Sequence, residues 1–201
     1  TQLEEIDTDL DTDLDNVKTQ LTDIGYNVKS FGAKGDGITD DADAIQNALD
    51  YVENIGGGTV YLPKGVYKLL SPIHIGHNVN LIGTGKSTIL DGVGNPEGGT
   101  AIIYPKYRDS SNPYDGASDF SIQNLAINST TRTMQGIYLD NAKNFYIKNI
   151  WGLGTTLDHY LDINNSKDGL IENLYLIHDH LGSSDIQIDA RSGGNDGITI
   201  K

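Results

Sequence analysis

Three aspartates near the C-terminal end of the chain have the residue type and spacing of an acid–base pair. Asp162, Asp185 and Asp189 lie in two short stretches where isoleucine or leucine alternates with polar residues. This alternation is typical of β-strands that bury one face. If the two strands are stacked neighbours about 4.8 Å apart, the backbone of Asp162 lies about 8 Å from those of Asp185 and Asp189.

Carboxyl groups at such separations cleave glycosidic bonds. Retaining glycosidases hold two carboxyl groups about 5 Å apart, and inverting enzymes hold them roughly 6.5–9.5 Å apart. The aspartates therefore predict general acid–base chemistry on a sugar polymer, with Asp162 paired with Asp189 or Asp185. The alternative is that all three are solvated residues on a polar strand face.

Two histidines and an arginine near these aspartates extend the candidate catalytic site. His178 and His180 flank Asp179, where two earlier repeats carry only serine, threonine or glycine. Histidines beside an acid could orient a sugar, shuttle protons or bind a metal, and a polar surface turn is the alternative. Arg191 could neutralise the carboxylate of an acidic sugar, which a lyase acting on uronic acids requires.

Aromatic side chains supply candidate sugar-stacking surfaces. Some lie in a segment over residues 104–119 that is longer than the repeat around it allows, and others lie at outward strand positions. Besides Arg191, the substrate-binding candidates are Tyr107, Arg108, Tyr114, Trp151 and Tyr138. Packing against a neighbouring subunit is the alternative role for the same aromatic surfaces.

An internal repeat predicts the elements that position these residues. Residues 119–125, 144–150 and 168–174 align with one another at spacings of 25 and 24. A period of this length, built of short strands without a helix in each repeat, predicts a parallel β-solenoid. A fourth copy begins at Asp196, so we expect the solenoid to continue beyond residue 201.

The repeat also predicts which side chains face inward. One position is always asparagine, at Asn124, Asn149 and Asn173, and we interpret this column as a ladder that satisfies turn backbone. The alternating stretches predict six inward residues, which are Ile137, Leu139, Leu161, Ile163, Ile186 and Ile188. The polar residues between them are expected to face outward in columns.

One amphipathic helix is expected near residues 40–55. Apolar residues recur there at helical spacing, Thr39 is the expected N-cap, and three glycines at 56–58 end the pattern. Strands are then expected over residues 59–62, 66–69, 73–75 and 79–82.

Net charge separates the first 25 residues from the rest. The chain has 28 acidic and 14 basic residues, a net charge of −14, and residues 1–25 hold eight acids and one base, which is half of that charge. Strong acidity excludes a nucleic-acid partner, whereas the milder remainder still admits an acidic sugar. There is no cysteine and no apolar run near the roughly 18 residues of a membrane span. No cofactor is predicted, although calcium stays open for so acidic a protein.

The segment 83–87, Gly-Thr-Gly-Lys-Ser, has the ending of a phosphate-binding loop. The first glycine of that motif would fall at position 80, which is Asn80, and no strand–loop–helix pattern surrounds it. We therefore predict no nucleotide site.

Residues 1–25 predict a self-associating helix. Apolar residues follow steps of three and four, a heptad-like seam with one extra four-residue step, at Leu3, Ile6, Leu10, Leu14, Val17, Leu21 and Ile24. A single helix so rich in Asp and Thr is marginal in water and needs partners along this seam. The alternative is a solvated acidic arm. We therefore divide the chain into a coiled-coil stalk, 1–25, and a body, 26–201.

The body resembles a known family over several segments. Residues 28–41, 44–48 and 57–67, with 80–89 as a further turn, resemble the opening of pectate-lyase-superfamily proteins with a single-stranded right-handed β-helix. This resemblance implies a mainly β fold in which the helix near 40–55 caps the N-terminal end of the solenoid. It is specific for the fold rather than the reaction, because the fold hosts lyases, hydrolases and plain binders.

The same opening is common in bacteriophage tailspikes and appendages, and a preceding coiled coil is more typical of a trimeric spike than of a secreted pectinase. The resemblance therefore implies a homotrimeric virion tail protein, attached to other virion proteins through its N-terminus, with a secreted enzyme as the alternative location. Its expected partner is a bacterial surface polysaccharide or teichoic acid, cleaved by lyase or hydrolase chemistry. A non-catalytic receptor-binding spike or a structural shaft remains the alternative function.

Overall fold

The computed structural model describes residues 25–92, 101–107, 116–129, 135–153, 159–176, 186–189 and 196–201. The predicted stalk falls on residues 1–24 and Gly25, so it lies almost wholly outside this range and stays a prediction. Within the described residues, no helix has both the length and the apolar character needed to cross a membrane.

Short strands dominate the described chain. A 3₁₀ helix, Val28–Phe31, and one α-helix, α1 at Ala42–Asn54, are the helical elements of the described residues. The strands are β1 Tyr26–Asn27, β2 Asp36–Asp40, β3 Gly58–Tyr61, β4 Gly65–Leu69, β5 Ile73–Ile75, β6 Val79–Ile82, β7 Thr88–Gly92, β8 Ala101–Pro105, β9 Ser118–Ser129, β10 Gln135–Asp140, β11 Lys143–Gly152, β12 Leu161–Asn164, β13 Lys167–Tyr175, β14 Ile186–Asp189 and β15 Thr199–Ile200. Strands β3 to β6 confirm the four strands expected between residues 59 and 82.

The strands form two parallel sheets wound around one core. The ten-stranded sheet includes the succession β6-β9-β11-β13-β15, and the five-stranded sheet has the order β14-β12-β10-β8-β5. Equivalent residues of successive coils lie opposite each other, as Ile147 does between Ile122 and Ile171. The molecule is therefore a right-handed parallel β-helix of about five turns, and the predicted solenoid is confirmed.

The asparagine column bends strands β9, β11 and β13 from one face of the β-helix to the next. Asn124, Asn149 and Asn173 all have left-handed backbone, with φ of 55°, 52° and 58°. Asn149 Nδ2 donates to Asn124 Oδ1 at 2.7 Å, and Asn173 Nδ2 donates to Asn149 Oδ1 at 2.9 Å. Asparagine tolerates this backbone region better than other residues with side chains, so one residue type supplies both the bend and the ladder. The predicted ladder is confirmed, although these hydrogen bonds join one side chain to the next rather than satisfying turn backbone.

Four of the six predicted inward residues fill the core, Ile186 packs against it partly buried, and Ile188 is the exception. Ile137, Leu139, Leu161 and Ile163 are at most 2% exposed, whereas Ile188 is 41% exposed. Ile188 lies in β14, the edge strand of the five-stranded sheet. Among the described residues no further strand covers that edge. The alternation therefore predicts that the side chain of Ile188 points inward, but it does not predict that the side chain is buried.

Glycine is required at one point where coils stack closely. Phe120, Phe145 and Gly169 lie opposite one another on β9, β11 and β13. The two phenyl rings stack with centroids 6.0 Å apart, and a Cβ on Gly169 would clash with the ring of Phe145. The ring of Phe145 therefore occupies the place that a side chain at position 169 would need.

Helix α1 covers the first coils of the solenoid. Its apolar face, with Ile45, Leu49 and Val52 at most 1% exposed, packs on β5, β3 and β6. The expected N-cap at Thr39 is wrong, because Thr39 lies in β2 and its hydroxyl donates to Asp36. Asp41 occupies the cap position, and its carboxylate accepts hydrogen bonds from the backbone of the loop before β2 instead.

An ionic cluster ties α1 to the coil behind it. Lys106 Nζ lies 2.9 Å from Asp50 Oδ1 and 2.7 Å from Glu53 Oε2, and the backbone N–H of His77 donates to Glu53 Oε1 at 2.8 Å. Burial raises the pKa of Glu53, but the hydrogen bonds from Lys106 and His77 outweigh it and hold that pKa below its ordinary value. The charged form of Glu53 therefore stabilises the docked helix.

We expect Asn149→Ala to lower the free energy of unfolding by about 2–3 kcal/mol, because it removes two ladder hydrogen bonds and forces alanine into left-handed backbone. Asn149→Gly removes the same bonds but tolerates the backbone, so it should lose about 1 kcal/mol less. Urea denaturation of both variants measures the difference. Equal losses would show that the ladder acts through hydrogen bonds alone.

We expect Glu53→Gln to lower the free energy of unfolding at pH 7 by about 1–3 kcal/mol. Because the folded pKa of Glu53 is depressed, its stabilisation is present above the unfolded pKa of about 4.3 and is lost as pH falls through the folded value. The gap between wild type and variant should therefore close in acid. Thermal unfolding at several pH values measures it, with the exposed Asp43→Asn as control; a gap independent of pH would contradict the assignment.

Candidate functional site

The outward face of the five-stranded sheet carries the expected polar columns. Tyr138 pairs with Asp162 across β10 and β12. In the next column Asp140 pairs with Asn164, and Asn164 pairs with Asp189. The register inferred from the repeat is confirmed, and the backbone of Asp189 lies one coil and two residues away from that of Asp162.

Asp162 is held by two amide side chains. Gln135 Nε2 donates to its Oδ2 at 2.6 Å, and Asn164 Nδ2 donates to its Oδ1 at 2.9 Å. Asp162 is 2% exposed, so the interpretation of a solvated surface aspartate is wrong at this position. Both amides donate, which suits a carboxylate whose two oxygens act as acceptors.

The same two amides leave their oxygens without partners. Gln135 Oε1 and Asn164 Oδ1 are buried and have no hydrogen-bond partner among the described residues. An unsatisfied buried acceptor costs roughly 1–3 kcal/mol, and a hydroxyl donor from a ligand would remove that cost. The site therefore holds a carboxylate fixed by two amides whose oxygens are buried and lack a partner among the described residues.

An aromatic column leads to Asp162 along the sheet. His74 lies opposite Tyr104 on β5 and β8, and their rings stack with centroids 5.8 Å apart. The rings of Tyr104 and Tyr138 follow with centroids 5.5 Å apart and planes tilted by 58°. Since Tyr138 lies opposite Asp162, three rings and a carboxylate form one continuous column, in which Tyr104 and Asp162 are only 7% and 2% exposed.

Sequence reasoning identified only part of this column. Tyr104 was expected in a long loop but lies in β8, and His74 was not singled out. Their coils precede the clear repeats, so alignment of those repeats did not include them. The available signal was the alternation Ile-His-Ile and Ile-Tyr-Pro, which matches Ile-Tyr-Leu at positions 137–139.

Tyr107 lies elsewhere, beside the ionic cluster of α1. Its ring stacks on His77 with centroids 4.6 Å apart, and Lys106 Nζ lies 5.7 Å from its centroid. Tyr107 is 39% exposed, so part of the ring is open to solvent. Its contacts with His77 and Lys106 show that it helps to pack the cap.

Trp151 belongs to the other sheet. It lies on β11 of the ten-stranded sheet, opposite Tyr175 on β13, whereas Asp162 lies on the five-stranded sheet. The remaining predicted residues, Asp185, His178, His180, Arg191, Arg108 and Tyr114, lie outside the described residues, as does the side chain of Asp189. Their roles stay predictions. Within the described part of the chain, no group of three or more acidic, histidine or cysteine side chains could hold a metal ion.

Comparison with known proteins places this fold in a family. A family model described as rhamnogalacturonase A/epimerase, pectate lyase-like, matches residues 25–200. The chain belongs to this family. Its membership confirms the expected pectate-lyase-like β-helix and places the chain among carbohydrate-active β-helices related to polysaccharide lyases and epimerases.

Individual relatives match shorter stretches. Alginate lyase 7 of Azotobacter vinelandii is 42% identical over 122 residues, which is 56% of this chain and 14% of that protein. Plasmin and fibronectin-binding protein A of Streptococcus pneumoniae is 40% identical over 78 residues, 38% of this chain and 11% of that protein. The chain thus matches only a small part of each relative, and one relative is named for cleavage while the other is named for binding.

A solved structure shares the fold over nearly the whole chain. ORF18 of Geobacillus virus E2 superposes with a TM-score of 0.74 and 25% sequence identity, covering 94% of this chain and 38% of that one. The similarity extends the match beyond the segments shared with the bacterial relatives. The viral source of ORF18 is the finding that bears on the expected phage origin of this chain.

We expect Asp162→Ala to lower the free energy of unfolding by about 2–4 kcal/mol, because two buried amides would lose their common acceptor. Asp162→Asn should lower the free energy of unfolding by no more than about 1 kcal/mol. If the amide of Gln135 or Asn164 flips by about 180°, its unpartnered oxygen can accept a hydrogen bond from the new N–H₂ group. Urea denaturation measures both variants. Equal losses in the two variants would contradict this account of the carboxylate.

Proposed function

We propose that the chain is part of a phage tailspike-like protein that binds and cleaves a bacterial surface polysaccharide on the outward face of its five-stranded sheet. The observation that carries the proposal is the column of His74, Tyr104 and Tyr138 that leads to the buried Asp162. Aromatic rings in a row suit the apolar faces of successive sugars, and the acceptors beside Asp162 suit their hydroxyl groups.

Gln135 and Asn164 would orient the sugar beside Asp162. Their N–H₂ groups keep the carboxylate of Asp162 in place, and their buried oxygens would accept hydrogen bonds from ring hydroxyls once the covering side chains move aside. A hydroxyl that satisfies a buried acceptor contributes both affinity and selectivity, because a ligand without it leaves that acceptor unpaired.

The chemical step is assigned to Asp162 acting with Asp189 or Asp185. In hydrolysis, one carboxyl group protonates the leaving oxygen and the other activates water or attacks the sugar carbon. In a lyase reaction on a uronate, a base removes the proton from the carbon next to the carboxylate, a carbon–carbon double bond forms as the glycosidic bond breaks, and an acid protonates the leaving oxygen. His178 and His180 would serve in proton transfer, and Arg191 would neutralise the uronate.

Several features of the whole protein belong to the same proposal. The heptad-like seam of residues 1–25 supports a homotrimer joined by a coiled coil, and the viral neighbour supports a place in a virion tail. The identity with alginate lyase 7 supports an acidic polymer as substrate. Of the total net charge of −14, −7 belongs to residues 1–25, and the remaining −7 of the body still admits such a substrate. Calcium, if bound, would assist with the substrate carboxylate.

A second candidate is a spike that binds glycan without cleaving it. Both oxygens of Asp162 already accept hydrogen bonds, which suits a positioning role as well as a catalytic one. The relative named for plasmin and fibronectin binding shows that a protein sharing part of this sequence is named for binding rather than for catalysis. The two candidates differ in one measurable property, the release of shorter oligosaccharides.

We expect Asp162→Asn to keep polysaccharide binding but to lower the rate of oligosaccharide release by at least about hundredfold, because the acid–base carboxylate is gone. Release is followed by size-exclusion chromatography, with reducing-end and unsaturated-end assays to distinguish hydrolase from lyase. Asp168→Asn, on the ten-stranded sheet, is the matched control. Turnover unchanged by Asp162→Asn would remove Asp162 from the catalytic role, and absence of release by the wild type would favour the binding spike.

A further inference from the structure

A groove on the outside of the ten-stranded sheet is not used by the proposed reaction. It has a volume of about 480 Å³ and is lined chiefly by Lys86, Trp151, Leu153, Leu174, Tyr175 and Leu176. Volumes of roughly 300–1,000 Å³ are usual for small-ligand sites in proteins. The groove is therefore large enough for one or two sugar units.

Two stacked aromatic rings form one wall of this groove. Trp151 and Tyr175 lie opposite each other on adjacent coils, with ring centroids 5.3 Å apart and planes within 10° of parallel. The preceding coil carries only the small Ala126 in this column. Tyr175 is 51% exposed, so the stack is an apolar surface that solvent reaches rather than a core contact.

Lys86 brings a positive charge to the same groove. The ring of Trp151 reaches the β6–β7 loop, since its Cη2 lies 4.0 Å from where a Cβ on Gly85 would be. Lys86, the next residue, is exposed and forms no ion pair with any described residue, unlike Lys106 and Lys148. The chain has a net charge of −14, so Lys86 makes the surface beside the two rings locally positive in an otherwise acidic protein.

We propose that this groove is a second saccharide-binding site, which takes a pyranose that carries an acidic group. The apolar C–H face of the sugar packs against Trp151 and Tyr175, and its carboxylate or sulfate pairs with the ammonium group of Lys86. The site goes beyond the proposed function, because its rings lie on β11 and β13 whereas Asp162 lies on β12 of the other sheet. It would hold the polymer while the other face acts on it.

The size and charge of the groove favour a sugar over a second copy of the chain. A stable subunit interface buries about 1,200–2,000 Å² in total, far more than so few residues supply. One cation beside stacked rings is instead the combination that recognises an acidic ring-shaped ligand. Lys86 is also the lysine of the Gly-Thr-Gly-Lys-Ser segment that fails as a phosphate-binding loop, which gives that segment a different role.

Trp151 is the single tryptophan of the chain, so intrinsic fluorescence reports on this groove directly. We expect a mannuronate hexasaccharide to change the fluorescence saturably. Lys86→Gln should weaken the apparent affinity about threefold to fivefold, as expected for loss of one exposed ion pair. The carboxyl-reduced hexasaccharide should bind wild type and Lys86→Gln equally, and the exposed Lys64→Gln should behave as wild type.

Tyr175→Ala supplies an independent check and separates this site from the first. It should weaken the apparent affinity measured by fluorescence about tenfold, as expected for loss of one stacking partner. Asp162→Asn should leave this apparent affinity unchanged. Failure of Asp162→Asn to stop cleavage would therefore not affect this inference. Absence of a fluorescence change at millimolar hexasaccharide, or an equal response in Lys86→Gln, would overturn it. Dissociation of an oligomer by Tyr175→Ala in analytical ultracentrifugation would overturn it as well, by assigning the groove to a subunit interface.

Discussion

In-register stacking of parallel strands is the constraint on which the rest of this molecule depends. Each coil forms backbone hydrogen bonds with the coils on either side, so every side chain lies directly over its equivalents, as Ile147 does between Ile122 and Ile171. A shift of one residue would turn the core outward, because side chains alternate between the two faces of a strand. The left-handed asparagines at 124, 149 and 173 hold the bend at the same place in each coil and thereby maintain that register.

Stacking converts a one-dimensional repeat into columns, and columns create sites from residues far apart in sequence. His74, Tyr104, Tyr138 and Asp162 span almost ninety positions but lie on four successive strands of one sheet. The same geometry places Trp151 against Tyr175 on the other sheet, and it requires glycine at position 169. Chemistry in this fold therefore depends on which residue each coil contributes to a shared column.

In the proposed function, the two faces carry different side chains for binding and cleaving an acidic polymer. The five-stranded sheet offers rings, a fixed carboxylate and unmet acceptors, whereas the ten-stranded sheet offers a pair of rings with a lysine. Net charge alone argued against acidic partners, but half of it belongs to residues 1–25, and local groups such as Lys86 reverse its sign where a ligand would lie. Local charge at a column therefore says more about a substrate than the total does.

The sequence by itself determined the solenoid, its register and the asparagine ladder, because these follow from alternation and period within one or two coils. Helical spacing of apolar residues determined the helix, whereas its capping role was implied only by the family resemblance. Tertiary structure alone decided that Asp162 is buried between Gln135 and Asn164, that Tyr104 joins the aromatic column, and that Tyr107 packs against the cap. It also separated Trp151 from Asp162 by placing them on different sheets. The physical reason is that a repeat specifies whether a side chain points in or out, whereas burial and hydrogen-bond partners depend on neighbouring coils that the local pattern does not contain.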